Sequence, residues 1–157
     1  MNAWYDIKEQ DISERTSQDG EAIMMSAEYL KSLAFVTTQR YRIPTGRVVY
    51  SGFSQGAAIS LAAGLTARIA PAGIAALSGY LAGASEVLAR LCNKTAPILM
   101  CHGTQDKIIP FFAAERTKDV LGKAGVANIT LKSYTMEHSA CQEEINDFAA
   151  FLQKVLP

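Results

Sequence analysis

The sequence predicts an α/β fold: a parallel sheet with helices on both faces. Three observations carry this. Short strand-like runs alternate with longer stretches of helical period. Two of the runs, Ile74 to Ser78 and Ile98 to Cys101, are continuously apolar rather than alternating, as strands buried on both faces are. And a β-branched, aromatic stretch, Arg47 to Ser51, leads through Gly52-Phe53-Ser54-Gln55-Gly56 straight into a small-residue helical pattern, the signature of a tight strand–turn–helix.

The elements follow in order. Residues 1 to 16 are mixed and polar and read as an extended lead-in. Thr16 or Ser17 caps a helix whose first turn holds Asp19 and Glu21. Its apolar face is Ala22, Met25, Tyr29, Leu33 and Val36, at steps of three and four, and it runs to about Arg40. Ile43-Pro44-Thr45-Gly46 breaks it. Strand Arg47 to Ser51 follows, then a helix to about Arg68. After Pro71-Ala72-Gly73 come strand Ile74 to Ser78, a short helix from Ser85 to Leu91, and strand Ile98 to Cys101. Pro110 to Lys123 is a helix ended by Gly125. Ile129, Leu131, Ser133 and Thr135 share one face of the last strand. Ser139 and Gln142 form a capping box for the final helix, with Glu143 and Glu144 in its first turn and Ile145, Phe148, Leu152 and Val155 as its buried stripe. The whole, 1–157, reads as one domain, without repeats or a linker.

Composition narrows the function. Fifteen Lys and Arg balance fifteen Asp and Glu, which leaves no electrostatic footprint for nucleic acid or an anionic membrane. No apolar run is long enough for stable membrane insertion, and the first residues lack the charge and apolar pattern of a secretory signal. Three cysteines, Cys92, Cys101 and Cys141, do not suggest a disulfide framework; Cys101 sits in an apolar run as a core residue. A cytoplasmic location is expected.

Ser54 carries the chemistry. In the strand–turn–helix setting its hydroxyl stands on a strained turn, and Gly52 and Gly56 let strand and helix pass closely. A serine needs a base, and the base needs a group to hold its tautomer. In an open parallel sheet the loops after the strands meet at one rim. Asp106 and His138 lie in two such loops, so Ser54 reads as nucleophile, His138 as base then acid, and Asp106 as its orienter. The Gln55 N–H is an oxyanion donor. Alternatives stand beside each role. Gly52 to Gly56 also fits a glycine-rich strand–helix turn with a chance serine, Asp106 a turn aspartate, and His138 a loop histidine that helps cap the last helix. His102 reads as structural, with no acid placed to orient it, and Cys141 is a rival nucleophile at a helix start. No cofactor is expected, and no His, Cys and carboxylate spacing suggests a metal.

These motifs resemble the phospholipase/carboxylesterase family of α/β-hydrolases, which includes acyl-protein thioesterases. The matching stretches are Trp4-Tyr5-Asp6-Ile7, Gly52-Phe53-Ser54-Gln55-Gly56-Ala57, Ala76-Leu77-Ser78, Cys101-His102-Gly103-Thr104-Gln105-Asp106, Glu137-His138-Ser139 and Cys141-Gln142. The resemblance implies an α/β-hydrolase-like sheet and hydrolysis of carboxylic esters or acyl thioesters through an acyl-serine, with a small-molecule or acylated substrate. Leu81, Ile108 and Ile109 are candidates to line an acyl site.

The same resemblance predicts an N-terminally truncated fold. Family members begin with further strands and a His-Gly-rich loop that supplies the second oxyanion donor, and nothing here matches it. The stretch Arg47 to Ser51 then becomes a sheet edge, a pairing hazard that self-association into a homo-oligomer would cover. Activity is expected to be impaired. Three explanations fit: a fragment or mis-started reading of a longer esterase, a naturally shortened relative that completes its sheet by self-association, or a non-catalytic remnant that serves binding; the alternative function is a truncated, weakly active or non-catalytic self-associating remnant.

Overall fold

The structure is a computed structural model that describes residues 3–6 and 19–157. Its sheet has four parallel strands, β1 (Val49–Phe53), β2 (Gly73–Leu77), β3 (Ile98–Gly103) and β4 (Ile129–Tyr134), in the order β1-β2-β3-β4. The helices are α1 (Gly20–Tyr41), α2 (Gln55–Leu65), α3 (Ala84–Ala89), α4 (Phe112–Lys123) and α5 (Gln142–Val155). Successive strand residues point to opposite faces. On one face, Ile74, Ala76, Ile98 and Met100 join α2, α3, α4 and the inner side of α1 in the main core. On the other, Ala75, Leu99 and Cys101 pack against Phe148 and Phe151 of α5. Cys101 is buried in this smaller core, and burial pushes its thiol up to about 11.

Several expectations are corrected. Thr16 and Ser17 lie outside the described residues, and the cap of α1 is Asp19, whose carboxylate accepts the Ala22 N–H at 3.1 Å. The inner face of α1 is Ile23, Met24, Ala27 and Thr38, not the row from Met25 to Val36. Both rows have helical spacing, and packing against α2 selects the one with the smaller Ala27, which permits close approach. A 3₁₀ turn at Thr45–Arg47 delays β1 to Val49, and the strand runs on to Phe53. α2 stops at Leu65, where the Thr66 hydroxyl donates back to the Ala62 carbonyl at 2.7 Å.

The final helix begins at Cys141 as its cap, with no Ser139–Gln142 box. Its inner line is Glu144, Phe148, Phe151 and Val155, so Ile145 is rotated outward and exposed while Glu144 is fully buried. Neither Glu144 carboxylate oxygen makes a hydrogen bond of good geometry. Burial raises its pKa, and the Cys141 N–H pulls only partly the other way.

β1 lies at an edge of the described sheet. Val48 accepts from Ala72 and Ser54 donates to Leu77, so the even-numbered backbone groups face β2. Those of Val49, Ser51 and Phe53 therefore point to the open side.

Candidate active site

The site stands where β1, β3 and β4 end. Ser54 joins β1 to α2 with φ 56° and ψ −119°, a strained conformation for a residue with a side chain. Its N–H donates to the Leu77 carbonyl at 2.9 Å, which ties the turn to β2. The turn is tight because Gly52 has no Cβ: one there would overlap the Gly56 carbonyl. A Cβ at Gly56 would only touch the Trp4 indole nitrogen at 4.0 Å, so of these two glycines Gly52 is the one that close passage requires.

Three strand ends bring three polar side chains together. Ser54 Oγ lies 2.9 Å from His138 Nε2, and His138 Nδ1 lies 2.7 Å from Asp106 Oδ2. A carboxylate only accepts, so Nδ1 carries the proton and Nε2 is left to accept from the serine hydroxyl. The His138 loop is pressed onto β3 at Gly103, where a Cβ would overlap the Met136 and Glu137 carbonyls. Phe53 flanks the imidazole with its ring centroid 4.9 Å away.

Asp106 serves two purposes at once. Its Oδ1 accepts the N–H groups of Ile108 and Ile109 at 2.8 and 2.9 Å, the turn role weighed above, while Oδ2 faces His138. Burial pulls its carboxyl upward, but hydrogen bonds from His138, Ile109 and Ile108 outweigh that and hold it below the usual value.

The expectation that no acid faces His102 is overturned. His102 is fully buried, and its Nε2 lies 2.7 Å from the Ile109 carbonyl and 3.4 Å from Asp106 Oδ2. The carbonyl only accepts, so Nε2 bears the proton and closes the Asp106–Ile109 turn from below. The spacing of His102 and Asp106, four residues apart across a strand end, is the sequence signal by which the contact could have been found.

Gln55 begins α2, so its backbone N–H is one of that helix's unpaired first donors, beside the serine. Its side chain is occupied elsewhere: Oε1 accepts the Trp4 N–H and Nε2 donates to the Tyr5 carbonyl, both at 3.2 Å. This clasp docks Trp4 and Tyr5 on the turn, a contact that sequence spacing could not reveal. Of the three acyl-site candidates, only Ile108 is exposed, at 66%. Leu81 and Ile109 are buried at 6% and 7%, because each is drawn inward by its backbone, Leu81 to Thr117 and Ile109 to Asp106. Cys141 stands at the cap of α5 and is not part of this chain of hydrogen bonds. Among the described residues no group of three His, Cys, Asp or Glu could hold a metal ion.

The phospholipase/carboxylesterase family model matches residues 1–156. The chain belongs to that family. It is 36% identical to acyl-protein thioesterase 1 of Mycosarcoma maydis, covering 100% of this chain and 70% of that protein. It is 39% identical to the Neurospora crassa protein of the same name, covering 66% of it. Among solved structures, Arabidopsis thaliana SOBER1 superposes with a TM-score of 0.91 at 25% identity, over all of this chain and 75% of that one. Zea mays acyl-protein thioesterase 2 gives 0.83 at 26% identity, over 99% and 73%. The fold is thus the α/β-hydrolase sheet that the motifs imply, and this chain spans about two thirds to three quarters of the relatives it matches. Among the described residues no helix is long and apolar enough to cross a membrane.

Proposed function

We propose that this protein hydrolyses carboxylic esters or acyl thioesters through an acyl-serine at Ser54. The observation that carries the reading is the continuous hydrogen-bonded line from Ser54 Oγ through His138 to Asp106. Ser54 Oγ attacks the acyl carbon and gives its proton to His138 Nε2. The carbonyl oxygen becomes an oxyanion facing the Gln55 N–H and the start of α2. The intermediate collapses, and the leaving alcohol or thiol takes the proton from Nε2. Water then attacks the acyl-serine, with His138 again the base, and releases the acid. Asp106 holds the tautomer and balances the imidazolium charge. The names of the fungal relatives favour an acylated substrate and thioester cleavage, and of the three acyl-site candidates Ile108 is the exposed one. The three cysteines are unpaired, in keeping with a reducing cytoplasm.

A fluorophosphonate probe is expected to label the wild type and not Ser54→Ala. No label on the wild type, together with no hydrolysis of a short p-nitrophenyl ester, would sink this reading.

A second reading, self-association of a weakly active chain, is favoured by the outward backbone groups of Val49, Ser51 and Phe53. Edge pairing predicts that their amides gain protection from hydrogen exchange as protein concentration rises. Unchanged exchange would remove it.

A further inference from the structure

Ser54 keeps φ 56° and ψ −119° although it carries a side chain. A residue stays in such a conformation only where its surroundings over-determine it. On the strand side, the Ser54 N–H is tied to the Leu77 carbonyl at 2.9 Å. On the helix side, the Ala57 and Ala58 N–H groups hold the Ser54 carbonyl at 3.0 and 3.3 Å, while the first N–H groups of α2 have no partner within the helix. The remaining hold on that side is the Gln55 side chain. Its Oε1 accepts the Trp4 N–H and its Nε2 donates to the Tyr5 carbonyl. One amide thus spends its acceptor and a donor on two neighbouring residues of a single strap.

The strap is anchored at both of its residues. Ser26 Oγ of α1 donates to the Trp4 carbonyl at 2.5 Å. Tyr5 is buried, and its phenol is hydrogen-bonded with that of Tyr80. Tyr80 follows Gly79, which lies so close to the serine turn that a Cβ there would overlap the Ala57 side chain. Trp4 and Tyr5 therefore join α1, the start of α2 and the loop after β2 around Ser54. A hold on the Gln55 side chain is also a hold on its backbone N–H, since both hang from one Cα.

We propose that Trp4, Tyr5 and Ser26 are positioning residues. They act through the Gln55 side chain, and keep the Ser54 turn and the Gln55 N–H in the geometry that meets the oxyanion. The inference rests on the acyl-serine reading.

Trp4 is the only tryptophan of the sequence, so its fluorescence reports on the strap directly. Gln55→Ala removes both clasp bonds and keeps the backbone N–H. Ser26→Ala removes an anchor on α1. Each is expected to raise acrylamide quenching of Trp4. Gln55→Ala is expected to lower kcat about tenfold with KM little changed, a part of the roughly 10²–10³ that outright loss of an oxyanion donor costs. Ser26→Ala is expected to lower kcat about threefold. The double variant is expected to be no slower than Gln55→Ala, because both changes act through one strap. A strap that only stabilised the fold would lower the urea midpoint and leave kcat alone. A wild type that takes fluorophosphonate label, with a kcat indifferent to both substitutions, overturns this proposal alone. So does quenching unchanged in both variants, or losses that multiply in the double variant. A wild type that takes no label sinks the catalytic reading, and this proposal with it.

Discussion

Asp106 and Glu144 are both buried carboxyls near the carboxyl ends of the strands, and their surroundings make them opposites. Asp106 receives three hydrogen bonds, from His138, Ile108 and Ile109, which hold its charge in place despite burial. Glu144 has no hydrogen bond of good geometry, and burial favours its neutral form. The difference teaches that burial alone does not fix a carboxyl's chemistry. The number of donors aimed at it does.

The strongest way to break this comparison is to remove the Asp106 charge while keeping its shape. Asp106→Asn is expected to lower kcat by about 10²–10⁴ with little change in KM, because the amide no longer holds His138 with Nε2 free to accept. Steady-state ester hydrolysis measures it, and undiminished turnover would show that the carboxylate orients nothing.

His102→Leu comes next. It strands the buried Ile109 carbonyl and loosens the turn under Asp106. A loss of about 1–3 kcal/mol in urea unfolding is expected, with a smaller fall in kcat than Asp106→Asn gives. Unchanged stability would make His102 a bystander.

The smallest effect belongs to Glu144. Glu144→Gln is expected to stabilise the fold by about 1 kcal/mol at pH 8, read by urea unfolding. The sign follows from its raised folded pKa. The contribution of Glu144 is whole below the ordinary glutamate value of about 4.3 and is lost as pH rises through the higher folded value. The gain from Gln therefore shrinks toward pH 4. Asp106 runs the other way: its contribution is whole above about 3.9 and is lost as pH falls toward its lowered folded value. If Glu144→Gln destabilises equally at both pH values, the carboxyl has partners that burial does not reveal.

Legibility in the sequence varied with how local the governing physics is. Turn sterics are local, so Gly52-Phe53-Ser54-Gln55-Gly56 announced a strained serine between strand and helix. Parallel pairing could also be anticipated, since apolar runs alternate with helices. Helix faces were less legible. α1 carries two apolar rows, and periodicity cannot say which one meets α2. In α5 one residue of rotation exchanged Ile145 for Glu144 inside, because the helix starts at Cys141 and not at Ser139.

By itself the sequence determined the fold class, the element order and the chemical types available at the strand ends, because periodicity, turn residues and chain order are properties of neighbours. Only the tertiary structure decided that His102 also reaches Asp106, that Gln55 clasps Trp4 and Tyr5, and that a strong apolar row on α1 faces water. Those facts depend on how strand end, turn and helices sit in space, and packing sets such distances through all elements at once.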